Sequence, residues 1–163
     1  MPTIEDVAKL SVEERLARMA CTADELAVAI SGQPESMLAR RPGVKAWAAK
    51  EVICHLRDTE ESFLLRFQTI AAMDEPKFLP VDPDRWAEER QYLRNDVVEA
   101  LHAFRRRREE SLAYLRGLGP QQRQRGGVHP TRGRMTVGDF VTLMAWHDEN
   151  HLDQLKRALR GEA

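Results

Sequence analysis

The chain has 163 residues, 42% hydrophobic and 31% charged, with a net charge of −1. That balance excludes disorder and collagen-like repeats, gives no global basic field for nucleic acid, and fits one domain over residues 1–163. No apolar run is long enough for a membrane span, and the opening MPTIEDVAKL has neither the basic nor the apolar region of a secretory signal, so the expected location is the cytoplasm.

In chain order, Ser11 and Glu14 form a capping box. Val12, Leu16, Met19, Ala23, Leu26 and Ile30 then recur at three- and four-residue steps, predicting a helix closed by Gly32. Glu35–Arg40 reads as a short helical turn. Residues 46–73 contain neither Pro nor Gly, and Val52, Leu56, Thr59, Phe63, Phe67 and Ile70 mark a second stripe. Pro76, Pro80 and Pro83 make 74–85 a surface loop. Trp86–Tyr92 reads as a separate short helix. A third long helix runs from an Asn95 cap to Leu115 on the stripe Val97, Leu101, Phe104, Arg108, Leu112, Leu115. Residues 117–138 hold six of the nine glycines and form the longest irregular segment. Thr136 and Asp139 cap a last helix reaching about Leu159. No window alternates long enough to predict a strand. The expected fold is all-α, a four-helix bundle with long connections able to cross its length.

The last helix carries the chemistry. Its stripe reads Phe140, Met144, His147, His151, Leu155, Ala158, with two histidines on an otherwise apolar line. At i and i+4 their Cβ atoms lie about 5–6 Å apart, so both imidazoles can converge on one metal ion. The Glu of HExxH is missing, because Asp148 follows His147, which excludes that protease motif. A third donor from a facing helix is expected. His55 flanks the second stripe and is the better placed candidate; His102 sits on a charged face, and His129 in the glycine-rich loop is expected to be solvated. A three-histidine site keeps coordination positions open, which points to catalysis on a small molecule rather than to a structural ion.

The segments WAAKEVICHLRDTE (47–60) and GRMTVGDFVTLMAWHDENHLDQL (133–155) resemble the DinB-like superfamily of metal-dependent enzymes, and the likeness extends over about residues 10–160. The resemblance implies an up-down-down-up winding, a homodimer, and a divalent ion, nickel or zinc, held by His55, His147 and His151. It also implies a low-molecular-weight thiol as co-substrate in transferase or isomerase chemistry, with hydrolysis the other reaction class. A non-catalytic metal-binding dimer with a stress or scaffolding role is the competing reading.

Other residues have two readings each. Arg108 either pairs with a buried carboxylate such as Glu60 or clamps an anion beside the metal. Asp58 either orients a ligand imidazole or lies on the surface. Asp148 faces outward or binds a neighbouring helix. The run Arg105–Arg108 reads as a solvated face with i,i+4 pairs Arg105/Glu109 and Arg106/Glu110, not as a nucleic-acid contact. Cys21 and Cys54 read as small buried hydrophobes. Trp47, Trp86 and Trp146 are expected at bundle ends or a dimer seam.

Overall fold

The computed structural model describes residues 2–163. Its elements are α1 (Ile4–Ala8), α2 (Val12–Ile30), α3 (Glu35–Leu38), α4 (Ala49–Ala72), α5 (Pro83–Glu89), a 3-10 turn (Tyr92–Arg94), α6 (Val97–Arg116), α7 (Pro120–Gln124), strands β1 (Gly126–His129) and β2 (Gly133–Thr136), and α8 (Val137–Arg160). The capping boxes at Ser11 and Thr136 form as the sequence predicts. The third long helix starts one residue later than expected. Asp96 accepts from the backbone of Val98 and Glu99, while the Asn95 amide donates back to the carbonyls of Arg90 and Gln91.

The four long helices bury two apolar clusters, and these fix the winding. One cluster takes Leu26 from the end of α2, Val52 and Ile53 from the start of α4, Leu101 and Phe104 from the first half of α6, and Leu155 from the end of α8. The other takes Leu16 from the start of α2, Phe67 and Ile70 from the end of α4, Leu115 from the end of α6, and Phe140 from the start of α8. Helices α2 and α8 therefore run one way and α4 and α6 the other: up, down, down, up. Each helix packs against two of the others, α4 against α6 and α8, and α2 against α8 and α6, so α2 and α4 are diagonal. Burial of each large apolar side chain in these clusters contributes about 1.5–3 kcal/mol.

Between the clusters lies a charged layer. Arg108 donates to Glu60 (2.7 Å) and to both oxygens of Asp148, and to the carbonyl of Met19 (2.8 Å); Thr22 adds a hydroxyl to Asp148 (2.6 Å). All four long helices meet in this layer. Of the two readings of Arg108, pairing with buried carboxylates is the one observed. Asp148 binds neighbouring helices and is buried.

Two parts of the long loops take more structure than expected. The glycine-rich segment forms an antiparallel hairpin, a small addition to the helical fold. Four-residue strands with two leading glycines are too short to show alternation, so the sequence could not announce them. Gly127 is required there: a Cβ would come within 2.7 Å of the Phe78 ring and 2.8 Å of the Pro76 carbonyl. That close approach lets the proline-rich loop join the hairpin, with Val128 N–H donating to Pro76 (2.8 Å) and Phe78 N–H to Val128 (3.0 Å). The two loops thus form one wall over the face of α4 and α8.

On the surface, the arginine run departs from expectation. Arg105 reaches Asp24 on α2 (2.7 Å) rather than Glu109, Arg106 and Glu110 form no ion pair among the described residues, and Arg107 reaches Glu61 on α4 (2.8 Å), so the run is tied to neighbouring helices instead of along its own. Cys54 is buried as expected, but Cys21 is exposed, on the outer face of α2 away from the stripe.

Candidate metal centre

His55 on α4 and His147 and His151 on α8 come together near the middle of the bundle. One ligand-capable nitrogen from each lies within 4.8 Å of the others. The Nε2 atoms of His55 and His147 are 3.1 Å apart. Two nitrogens on one ion at about 2.0–2.1 Å would stand roughly 2.8–3.4 Å apart for coordination angles between 90° and tetrahedral. Nitrogens this close either share one proton or face one cation. The i,i+4 spacing sets the rings of His147 and His151 edge to face with centroids 4.2 Å apart, and α4 delivers His55 at 5.1 Å from His147 and 4.6 Å from His151.

The surroundings favour neutral imidazoles with lone pairs free. Burial, helped by the neighbouring His151, holds His55 down to about 3. Burial and the adjacent imidazoles push His147 well below the usual histidine range, and burial lowers His151 despite the opposing hydrogen bond it donates to Gln154. His151 Nδ1–H donates to Gln154 Oε1 (2.7 Å), which turns Nε2 toward the cluster. The donor set is three neutral imidazoles and no carboxylate among the described residues. That composition suits zinc, nickel and similar transition ions rather than magnesium or calcium.

Asp58 takes neither expected role. It is buried, and it makes no hydrogen bond to the three imidazoles. Arg57 (2.7 Å), Arg90 (2.6 Å) and the Tyr92 hydroxyl (2.9 Å) take its oxygens instead. Three residues after His55 the side chain lies on the adjoining flank of α4, where cations from α6 and from the segment before it reach the carboxylate first. Burial would raise this carboxyl, but the hydrogen bonds from Arg57 and Arg90 and their charges outweigh it and bring it down to about 2. His102 is exposed on α6, apart from the cluster.

A cavity of about 290 Å³ opens from His55 and His147. Thr59, Ser62 and Phe63 of α4, Leu143 and Trp146 of α8, and Trp86 line it, and the joined loops roof it with Pro80, Val81 and His129. His129 is therefore at the mouth of the site rather than free in solvent; its Nδ1 accepts the Thr131 N–H (3.2 Å). The tryptophans frame the site instead of capping bundle ends. Trp47 packs 4.9 Å from His55 and 6.3 Å from His151, anchored by its indole N–H to Asp84 (2.9 Å). Arg66, also on the cavity wall, went unremarked in the sequence. Its position eleven residues after His55, three turns along the same face of α4, was the available signal.

Four long helices wound in this way, with three histidines converging between α4 and α8, define the class of fold and site. The chain belongs to the DinB superfamily, whose model matches residues 13–155. Two relatives carry the name "putative metal-dependent hydrolase". OB0782 of Oceanobacillus iheyensis is 32% identical over 65% of this chain and 61% of its own length. YfiT of Bacillus subtilis is 27% identical over 70% of this chain and 65% of its own. The chain thus spans just under two thirds of these relatives. A solved structure of YfiT, described as a probable metal-dependent hydrolase with an unusual four-helix bundle topology, superposes with a TM-score of 0.86 at 22% identity, covering 100% of this chain and 92% of that one. Among the described residues, no helix is long and apolar enough to cross a membrane.

Proposed function

We propose that the protein is a metal-dependent hydrolase of small molecules, with one divalent ion held by His55, His147 and His151. The observation that carries this reading is the convergence of three imidazoles, two of which, His55 and His147, line an open cavity. The relatives' names support the same reaction class. A bound ion there would supply Lewis acidity, polarising a scissile carbonyl and acidifying water.

The chain's own residues do the rest. Gln154 fixes the tautomer and orientation of His151. The apolar walls and Trp146 exclude bulk water from the inner cavity. Thr59 and Ser62 offer hydroxyls along the floor, and His129 offers Nε2–H at the mouth, the tautomer set by its Nδ1 accepting the Thr131 N–H. No carboxylate lines the cavity, so no acid side chain is at hand as a general base.

The same open site would admit a low-molecular-weight thiol, which makes thiol-dependent transfer the second reading; nickel or zinc would serve either. The chain acts as a homodimer in both. Purification without a histidine tag, metal analysis, and screens of ester and amide hydrolysis and of thiol transfer test these readings. Metal-dependent hydrolysis lost in His147→Ala supports the first. Turnover only with added thiol moves the assignment to the second. One bound ion without turnover in either screen leaves the non-catalytic bundle, and no bound metal at micromolar concentration removes all three.

A further inference from the structure

Among the described residues, Arg66 is the one buried or half-buried arginine that holds no acceptor. Arg108 is paired twice, and the half-buried Arg18, Arg57, Arg105, Arg107, Arg123 and Arg157 each hold a carboxylate, while Arg15 holds the Leu10 carbonyl and the Thr142 hydroxyl. Arg66 instead lies over three rings, 5.6 Å from the Phe63 centroid, 5.4 Å from Phe78 and 5.9 Å from Phe140. These contacts hold the guanidinium in place without using its hydrogen-bond donors. Arg66 lines the cavity, to which Arg132 adds a second cation and no described residue adds a negative charge. A fixed, partly desolvated guanidinium with free donors is a receptor for a planar oxyanion.

Its place along the cavity sets the shape of the ligand. Eleven residues separate Arg66 from His55, a rise of about 16 Å between their Cα atoms along α4. Two side chains reaching into the space between leave room for a short organic molecule. The wall between is apolar, with Phe63, Leu143, Trp86 and Val81. We propose that Arg66 recognises the carboxylate of a small organic acid whose apolar body fills the cavity and whose reactive group lies at the histidine cluster. This names the substrate class for the hydrolase reading above and rests on it for the identity of the reactive end only.

The test uses 4-phenylbutyrate and its uncharged isostere 4-phenylbutyramide as probes, read by quenching of the cavity tryptophans. Titrations are run on chelator-treated protein and on zinc-loaded protein, because a carboxylate can also bind an ion directly. The expected result is that the acid binds at least about tenfold more tightly than the amide in the chelator-treated protein, the range for a charge-assisted pair. Arg66→Met should bring the two affinities together, and Arg66→Lys should restore part of the preference. Equal affinity of acid and amide for the wild-type protein overturns the proposal whether or not the variants fold. So does a preference that survives in a folded Arg66→Met variant. A preserved preference in a protein that binds no metal overturns the metal reading and leaves this one standing; bound metal without the preference does the reverse.

Discussion

Arg108 of α6 grips both carboxylate oxygens of Asp148 on α8, at 2.5 Å and 2.9 Å, and Asp148 directly follows His147. The pair thus fixes the rotation of α8 at the point where it must present two histidines to α4. Glu60, the second carboxylate on Arg108, sits five residues after His55 on α4 and fixes that helix in the same layer. The buried charges position the histidine cluster from behind without hydrogen-bonding to it.

Removing the cation alone should be costly. Arg108→Leu leaves two buried carboxylates uncompensated and should destabilise the fold by about 3–5 kcal/mol. The triple variant Arg108→Leu, Glu60→Leu, Asp148→Leu removes the charges together and should recover most of that loss. Urea unfolding of both variants checks the ordering; a triple variant no more stable than the single one would sink this account.

Metal content should depend on three histidines out of five. His55→Ala, His147→Ala and His151→Ala should each lower bound metal sharply, while His102→Ala and His129→Ala should leave it unchanged. Added metal should raise the wild-type melting temperature, since an ion that binds only the native state at about 100 times Kd stabilises it by about 2.7 kcal/mol. Elemental analysis with parallel melting curves provides the check. A triple alanine variant that kept one equivalent of metal would put the site elsewhere.

Gln154 supports His151 from outside the cluster. Gln154→Leu frees the Nδ1–H and the ring orientation, and should weaken metal binding about 10–100-fold while leaving the helix content intact. Competition with a chromophoric chelator measures this, and an unchanged affinity would show that the ring is held by packing alone.

Asp58 gives the fold an acid-sensitive component. Its carboxyl is held at about 2 in the folded protein, below the usual value of 3.8, by Arg57, Arg90 and Tyr92 acting against burial. The folded state therefore binds this proton less readily than the unfolded chain. The stabilisation, about 2 kcal/mol, is complete at neutral pH, begins to fall near pH 4 and is lost as pH drops through about 2. Asp58→Asn should lower stability at pH 7 by an amount that shrinks to about half by pH 3. Urea midpoints of both proteins between pH 7 and pH 3 test the sign, and a difference constant with pH would contradict it.

The sequence by itself determined the helices, because each long one repeats apolar residues every three or four positions and two carry their own capping boxes. It also determined that α8 presents a histidine pair on its buried line, a property of a single helix. The family resemblance added His55 and the winding. What only the tertiary structure decided depends on contacts between segments distant in the chain. Arg108 could pair with carboxylates or bind a ligand until α4 and α8 placed Glu60 and Asp148 on either side of it. Asp58 could serve the metal site until packing gave it to Arg57 and Arg90. His129, Trp86 and Arg66 became cavity residues only when the proline-rich loop joined the hairpin across Gly127 and closed over α4. Local periodicity specifies which face of a helix is buried; which partner that face meets is set by how the helices and loops pack together.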